Sequence, residues 1–238
     1  MMLTKHVISK PIDIEFDITL KKYSTNIKQW LKPVIDLSNF HVYPTNGITE
    51  GLTYWMSKEK RLIYREIGDY EWVDSTGKDI YYITCPSSKD GNFRDIPTDV
   101  PVALDIAYIG STQIQKIPIS DNIEYVFYSL SKPFGLNSIR TGWIFTRKPD
   151  VKLYRLTKAR YYNHYANSVA ENVIAKYPID IIYKYYHDEQ LKICNKFNFE
   201  PSDCVWLGTT KDKEYKDYFR MDRARICLTN YYENKSYI

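Results

Sequence analysis

The order of apolar runs predicts an α/β protein: a mostly parallel sheet flanked by helices, with a small α+β subdomain at the C-terminal end. Two observations carry this. Short apolar segments alternate with helical patterns up to residue 150, as in a layered sheet whose crossovers are helices. Beyond it come two long helical stretches, 151–176 and 179–197, then "CVWLGTT" and "ARICLTNYY". No internal repeat or low-complexity linker interrupts the chain, and 238 residues suit one large domain or a domain with a small appendage.

Taken in order, "TNIKQWLKPVIDL" (25–37) carries Ile27, Trp30, Leu31, Val34 and Ile35 on one helical stripe, with Pro33 set to kink or end it. "FHVYPTNG" reads as a short strand ending in a turn, and "ITEGLTYWMSKE" as the helix after it. "RLIYREI", "DIYYITCP", "VPVALDIAYIG", "IEYVFYSLS" and "RTGWIFTRK" read as five further strands. In such sheets ligands collect at the carboxyl ends of the strands, where Asn46-Gly47, Pro86-Ser87, Asp105 and Lys132 fall.

Composition excludes several classes. Thirty-three Lys and Arg are interspersed with 29 Asp and Glu, so the net charge of +4 does not by itself imply a nucleic-acid partner. Tyr is abundant at 23, and runs such as "ARYYNHY" raise a stacking surface for single strands. Their helix-like spacing favours packing instead. Cys85, Cys194, Cys204 and Cys227 show no metal-ligand spacing and no disulfide framework, which predicts a reducing, cytoplasmic setting. The N-terminal charges are too frequent for a signal peptide, and no apolar run reaches membrane-spanning length. None of His6, His41, His164 and His187 stands in a catalytic pattern; His41, just before the Asn46-Gly47 turn, is the one nearest to one.

Three segments carry chemistry. In "YSLSKPFGLNSIRTGW" (128–143), Pro133 holds Lys132 extended and Gly135 permits a tight turn, presenting an ammonium group. A lysine buried there would have a lowered pKa and act as an amine nucleophile, and Arg140 would lower it further and bind phosphate. Asp105, ending the apolar run "VALD", is costly to bury without a cation or donors, and Tyr108 follows three residues later. "TNGITEGL" (45–52) is a Gly turn leading into a helix, whose free N–H groups favour an anion. A phosphate, a ring nitrogen cation, a phenolate oxygen and an aldehyde together answer these groups, and pyridoxal phosphate has all four.

In this arrangement the chain resembles the class I/II aminotransferases, the fold type I pyridoxal-phosphate enzymes, as a compact, truncated member. The resemblance runs in order over roughly residues 25–230. It implies that Lys132 carries the cofactor as a Schiff base, while Ser129 and Arg140 hold its phosphate with the helix start at Asn46, Gly47 and Ile48. It implies that Asp105 keeps the pyridine nitrogen protonated, that Tyr108 bonds the ring hydroxyl oxygen, and that Tyr70 stacks on the ring, with Trp72 as competitor. Arg225 matches the arginine that clamps the substrate carboxylate, with Arg220 and Arg223 as alternatives. The family's Pro-Asn-Asn-Pro-x-Gly loop stands here as "PSSKDG", so Ser88 occupies the place of an asparagine that contacts the ring oxygen.

Carried over whole, the resemblance implies a cofactor-binding large domain at 25–165, and a reduced small domain from 1–24 and 166–238. It also implies a homodimer with amino acid and keto acid substrates, and no nucleic-acid or membrane partner. The same scaffold supports decarboxylases and lyases, or a non-catalytic binding protein.

Overall fold

The computed structural model describes residues 20–233. Residues 1–19 of the expected small domain, with His6, and the last five residues lie outside the described residues.

Helix α1 (Leu20–Leu31) ends just before Pro33, and the chain turns through Val34 and Ile35, whose N–H groups both donate to the Leu31 carbonyl. Strand β1 (His41–Thr45) leads through Asn46-Gly47 into α2 (Ile48–Lys58). There follow β2 (Ile63–Tyr64), β3 (Ile80–Thr84), β4 (Val102–Asp105), β5 (Ile123–Tyr128) and β6 (Gly142–Thr146). Helices α3 (Val151–Lys158), α4 (His164–Lys176) and α5 (Ile181–Phe197) come next. The chain closes with β7 (Glu200–Pro201), β8 (Leu207–Thr210), a 3-10 turn (Lys213–Tyr218), β9 (Ala224–Cys227) and α6 (Thr229–Glu233).

The six-stranded sheet has the order β1-β6-β5-β4-β3-β2. The pairs from β5 to β2 are parallel, and β6 runs antiparallel to both neighbours. The expected mostly parallel sheet is therefore present. Its strands are nearly continuous apolar runs because both faces are covered. In β3, Ile80 and Tyr82 face one core with Leu52 and Trp55 of α2 and Leu153 of α3, while Tyr81 and Ile83 face the other. That second core holds Ile27 and Leu31 of α1, Val169 and Val173 of α4, and Ile182 of α5. Full burial of each such side chain is worth about 1.5–3 kcal/mol against leaving it in water. A three-stranded antiparallel sheet, β7-β8-β9, packs with Ile193 and Cys194 of α5 around a third, smaller core.

Some element boundaries depart from expectation. The strand read in "RLIYREI" shrinks to Ile63–Tyr64, since the Ile63 carbonyl is taken by Thr76 and Gly77 of a returning loop. The helix read over 151–176 is two helices, broken where Arg160 takes a left-handed φ of 56° and Asn163 caps α4 through Ala166 N–H. The long run "VPVALDIAYIG" pairs over four residues and then turns. Tyr186 packs in the core, whereas Tyr161, Tyr165 and Tyr218 are exposed, so the packing reading of the Tyr-rich runs holds only in part. Among the described residues, no helix is long and apolar enough to cross a membrane, and no His/Cys/Asp/Glu group suits a metal. All four cysteines are free.

Candidate active site

Antiparallel β6 brings the separate motifs to one edge. Its first residue, Gly142, pairs with Thr45 at the end of β1, and Trp143 pairs with Tyr128 at the end of β5. Asp105 pairs with both Thr84 and Phe127. The turns holding Gly47, Lys132 and Arg140 and the carboxylate of Asp105 thus lie along a single sheet edge.

At the β1 end, Gly47 adopts φ 84°, ψ 168° and starts α2 without any side-chain cap, leaving the first helical N–H groups for an outside acceptor. A Cβ on Gly47 would lie 2.6 Å from Arg140 Nη2, so the guanidinium rests against this turn. A Cβ on Gly142 would lie 2.8 Å from the Gly47 carbonyl carbon and 3.0 Å from Ile48 N, so only glycine allows the two backbones to approach. Arg140 itself holds a left-handed φ of 59° and is exposed. One expected donor is already occupied. Asn46 N and Nδ2 donate to the Glu50 carboxylate at 2.6 and 2.9 Å, a reach-back from the first turn of α2. Gly47 and Ile48, not Asn46, carry the available N–H groups.

Ser129 is buried, and its Oγ accepts from Ser131 N–H at 3.1 Å, which tightens the turn into Lys132. The hydroxyls of Ser131 and Thr141, beside Lys132 and Arg140 in sequence, are buried and find no partner among the described residues. Lys132 is exposed, so the expectation of a buried amine is corrected: Pro133 and Phe134 after it are buried, and the lysine side chain is left at the surface of the turn. The lysine still acts electrostatically on Asp105, favouring its charged form.

Asp105 is fully buried, at 2% exposure. It accepts from Tyr82 Oη at 2.7 Å and from Ala107 N–H at 2.8 Å. Burial is the largest influence and raises its pKa to about 7, against the pull of those two donors. Tyr108 is buried and pushed up to about 12, chiefly by burial, with Arg225 opposing the rise. Its phenol therefore stays protonated at neutral pH. Arg225, in β9, donates to the Ser88 carbonyl and lies 3.5 Å from Tyr108 Oη. Arg220 donates to the Gly68 carbonyl at 3.4 Å and acts on Tyr108 electrostatically; its pKa is lowered by burial and by neighbouring Arg225. Arg223 instead pairs with Glu200 at 2.7 Å. Two of the three candidate arginines thus share the site's side.

Ser88 departs from its expected contact. Its hydroxyl donates to Asp69 Oδ1 at 2.6 Å, so the side chain is committed inward. Asp69 has no exposure and also accepts from Thr84 Oγ1 at 2.5 Å and Tyr70 N–H at 2.8 Å, with Arg94 at 3.6 Å. Tyr70 is half-buried against the aromatic cluster of Trp55 and Tyr82, while Trp72 is exposed and donates to Thr53. His41 is exposed at the far end of β1 from the Gly47 turn. Asp69, Tyr82 and Glu50 escaped the sequence reading. Glu50, three residues into a helix that follows a Gly turn, was the one with a recognisable signal.

No protein-family model and no curated protein matches this chain. Solved structures do. An aminotransferase from Staphylococcus aureus is 14% identical over 94% of this chain and 84% of its own, with a TM-score of 0.60. The PLP-bound C-S lyase from Staphylococcus hominis is 12% identical over 91% of this chain and 75% of its own, with a TM-score of 0.69. The L-threonine-O-3-phosphate decarboxylase from Porphyromonas gingivalis is 15% identical over all of this chain and 96% of its own, with a TM-score of 0.64. At these identities the likeness shows the architecture: this chain has the fold type I topology that those proteins share.

Proposed function

We propose that the chain is a pyridoxal-phosphate enzyme acting on α-amino acids, an aminotransferase by first reading. The observation that carries this is Asp105: a fully buried carboxylate with two donors and, among the described residues, no cation in bonding contact, on the strand edge that also carries Lys132 and the Gly47–Arg140 cradle. A buried carboxylate of that kind calls for a cationic partner, and a protonated ring nitrogen supplies one. The cradle fits a phosphate equally well: a glycine turn opening an uncapped helix, a guanidinium resting on it, and unpartnered hydroxyls at Ser131 and Thr141.

In this reading Gly47 and Ile48 N–H, Ser129 and Arg140 hold the phosphate. Asp105 keeps the ring nitrogen protonated, Tyr108 donates to the ring oxygen, and Tyr70 flanks the ring. Bound there, the cofactor would supply an electron-withdrawing ring that stabilises negative charge at a substrate α-carbon. Arg225, with Arg220 beside it, orients the substrate carboxylate. The Lys132 amine holds the cofactor and carries a proton to and from the substrate α-carbon. A homodimer, a cytoplasmic location, and a division into a cofactor-binding part (25–165) and a smaller part belong to the same proposal.

A second reading is a decarboxylase or lyase on the same site. The scaffold does not fix the reaction, and the solved structures of like topology include a C-S lyase and a decarboxylase.

The test is the absorption spectrum of the protein with pyridoxal phosphate beside the Lys132→Ala variant. A visible band that requires Lys132 is expected, and a band independent of Lys132, or none, sinks the assignment. Amino acids are then added singly. Formation of the matching keto acid favours transamination, and release of carbon dioxide or a thiol favours the second reading.

A further inference from the structure

Two fully buried carboxylates lie close together and are served unequally. Asp69 accepts from Thr84, Ser88 and Tyr70 and has the Arg94 guanidinium nearby. Among the described residues, Asp105 has only the Ala107 N–H and the phenol of Tyr82. Tyr82 comes from the neighbouring strand β3, has no exposure, and stacks on Trp55 of α2 with ring centroids 6.2 Å apart. Its hydroxyl therefore approaches Asp105 Oδ2 from a rigid wall. The charged groups facing Asp105 are Asp69 from the loop before β3 and Lys132 from the turn after β5. Those facing Tyr82 are Asp105, Asp69 and Tyr70.

We propose that Tyr82 is the positioning residue of Asp105: its phenol fixes Oδ2 and favours the charged carboxylate, leaving the remaining lone pairs for a cationic ring nitrogen. The last clause rests on the pyridoxal-phosphate reading; the hold on Asp105 does not. Tyr82 touches neither substrate nor cofactor in this assignment. It acts through Asp105, as a charge-assisted donor to an anion.

The test uses Tyr82→Phe, which keeps the stacked ring and removes only the hydroxyl. In the cofactor-free protein, urea unfolding is followed from pH 5 to 9. Asp105 has a raised pKa in the fold, so its contribution to stability is full below the unfolded value and is lost as pH rises through about 7. Removing the donor should carry that decline about one pH unit higher. A curve merely displaced by the same amount at every pH means a structural role and overturns the proposal. Should Tyr82→Phe fail to fold, Asp105→Asn decides: a decline that persists in that variant also overturns it.

With pyridoxal phosphate, Tyr82→Phe should bind about fivefold more weakly at pH 7, where roughly a tenth rather than half of Asp105 is charged, and equally at pH 9. Equal binding at both pH values counts against Tyr82 alone. Failure of the wild type to take up pyridoxal phosphate counts against the cofactor reading, while the unfolding curves still decide the role of Tyr82.

Discussion

Asp69, in the loop before β3, and Asp105, at the end of β4, lie buried and are hydrogen-bonded from Thr84, Ser88, Tyr70, Tyr82 and Ala107, whereas Lys132 and Arg140 lie exposed on the turns after β5 and before β6. The anionic half is thus part of the core, and its geometry is enforced by packing. The cationic half is held by backbone conformation: Pro133, Gly135, the left-handed φ of Arg140 and the close approach of Gly47 and Gly142. Water screens the cations, and burial exposes the carboxylates to one another's fields. Substitutions in the two halves should therefore fail in different ways.

The largest effect is expected in the buried half. Asp69→Ala strips the acceptor from Thr84, Ser88 and Tyr70 and leaves Arg94 without its inner partner. A loss of about 3–5 kcal/mol in urea unfolding is expected, as for other broken buried charge networks. A loss below about 1 kcal/mol would erase the contrast between the halves.

Gly47→Ala comes next. The backbone at φ 84°, ψ 168° is essentially glycine-only, which costs about 1–3 kcal/mol, and the new methyl displaces the Arg140 guanidinium. The variant should lose stability and inorganic phosphate binding together, read by unfolding and by phosphate titration. Loss of stability with phosphate binding intact would detach the turn from anion binding.

Arg140→Ala should show the smallest effect on stability, within about 0.5 kcal/mol, because the side chain is exposed. Phosphate and pyridoxal-phosphate binding should nevertheless fall, and the remaining phosphate affinity should lose part of its salt dependence. A destabilisation as large as that of Asp69→Ala would show that the cationic half is structural too.

Legibility in the sequence divides along the same line. The turns around Gly47 and Lys132 were legible because local backbone demands write themselves into Gly and Pro, and the spacing from Ser129 to Gly142 lies within one segment. The α/β class was legible from strands that are apolar throughout, since a sheet covered on both faces requires them. Asp105 and Tyr108 stood out as polar groups beside an apolar run.

Tyr82 and Asp69 did not. One is an aromatic inside a strand of aromatics, and the other an acid in a polar loop; their roles exist only once β3 and β4 pair and the loop folds under them. The surroundings of the three arginines were likewise set by the fold: β9 holds Arg225 near Tyr108 and the Ser88 carbonyl, while Arg223 pairs with Glu200. The exposure of Lys132 and the inward turn of Ser88 belong to the same class. Local conformational preference and hydrophobic period are properties of the chain, so the sequence by itself determined the turns and the layered class. Burial and the partner of a hydroxyl or guanidinium depend on residues a hundred positions away, so only the tertiary structure decided them.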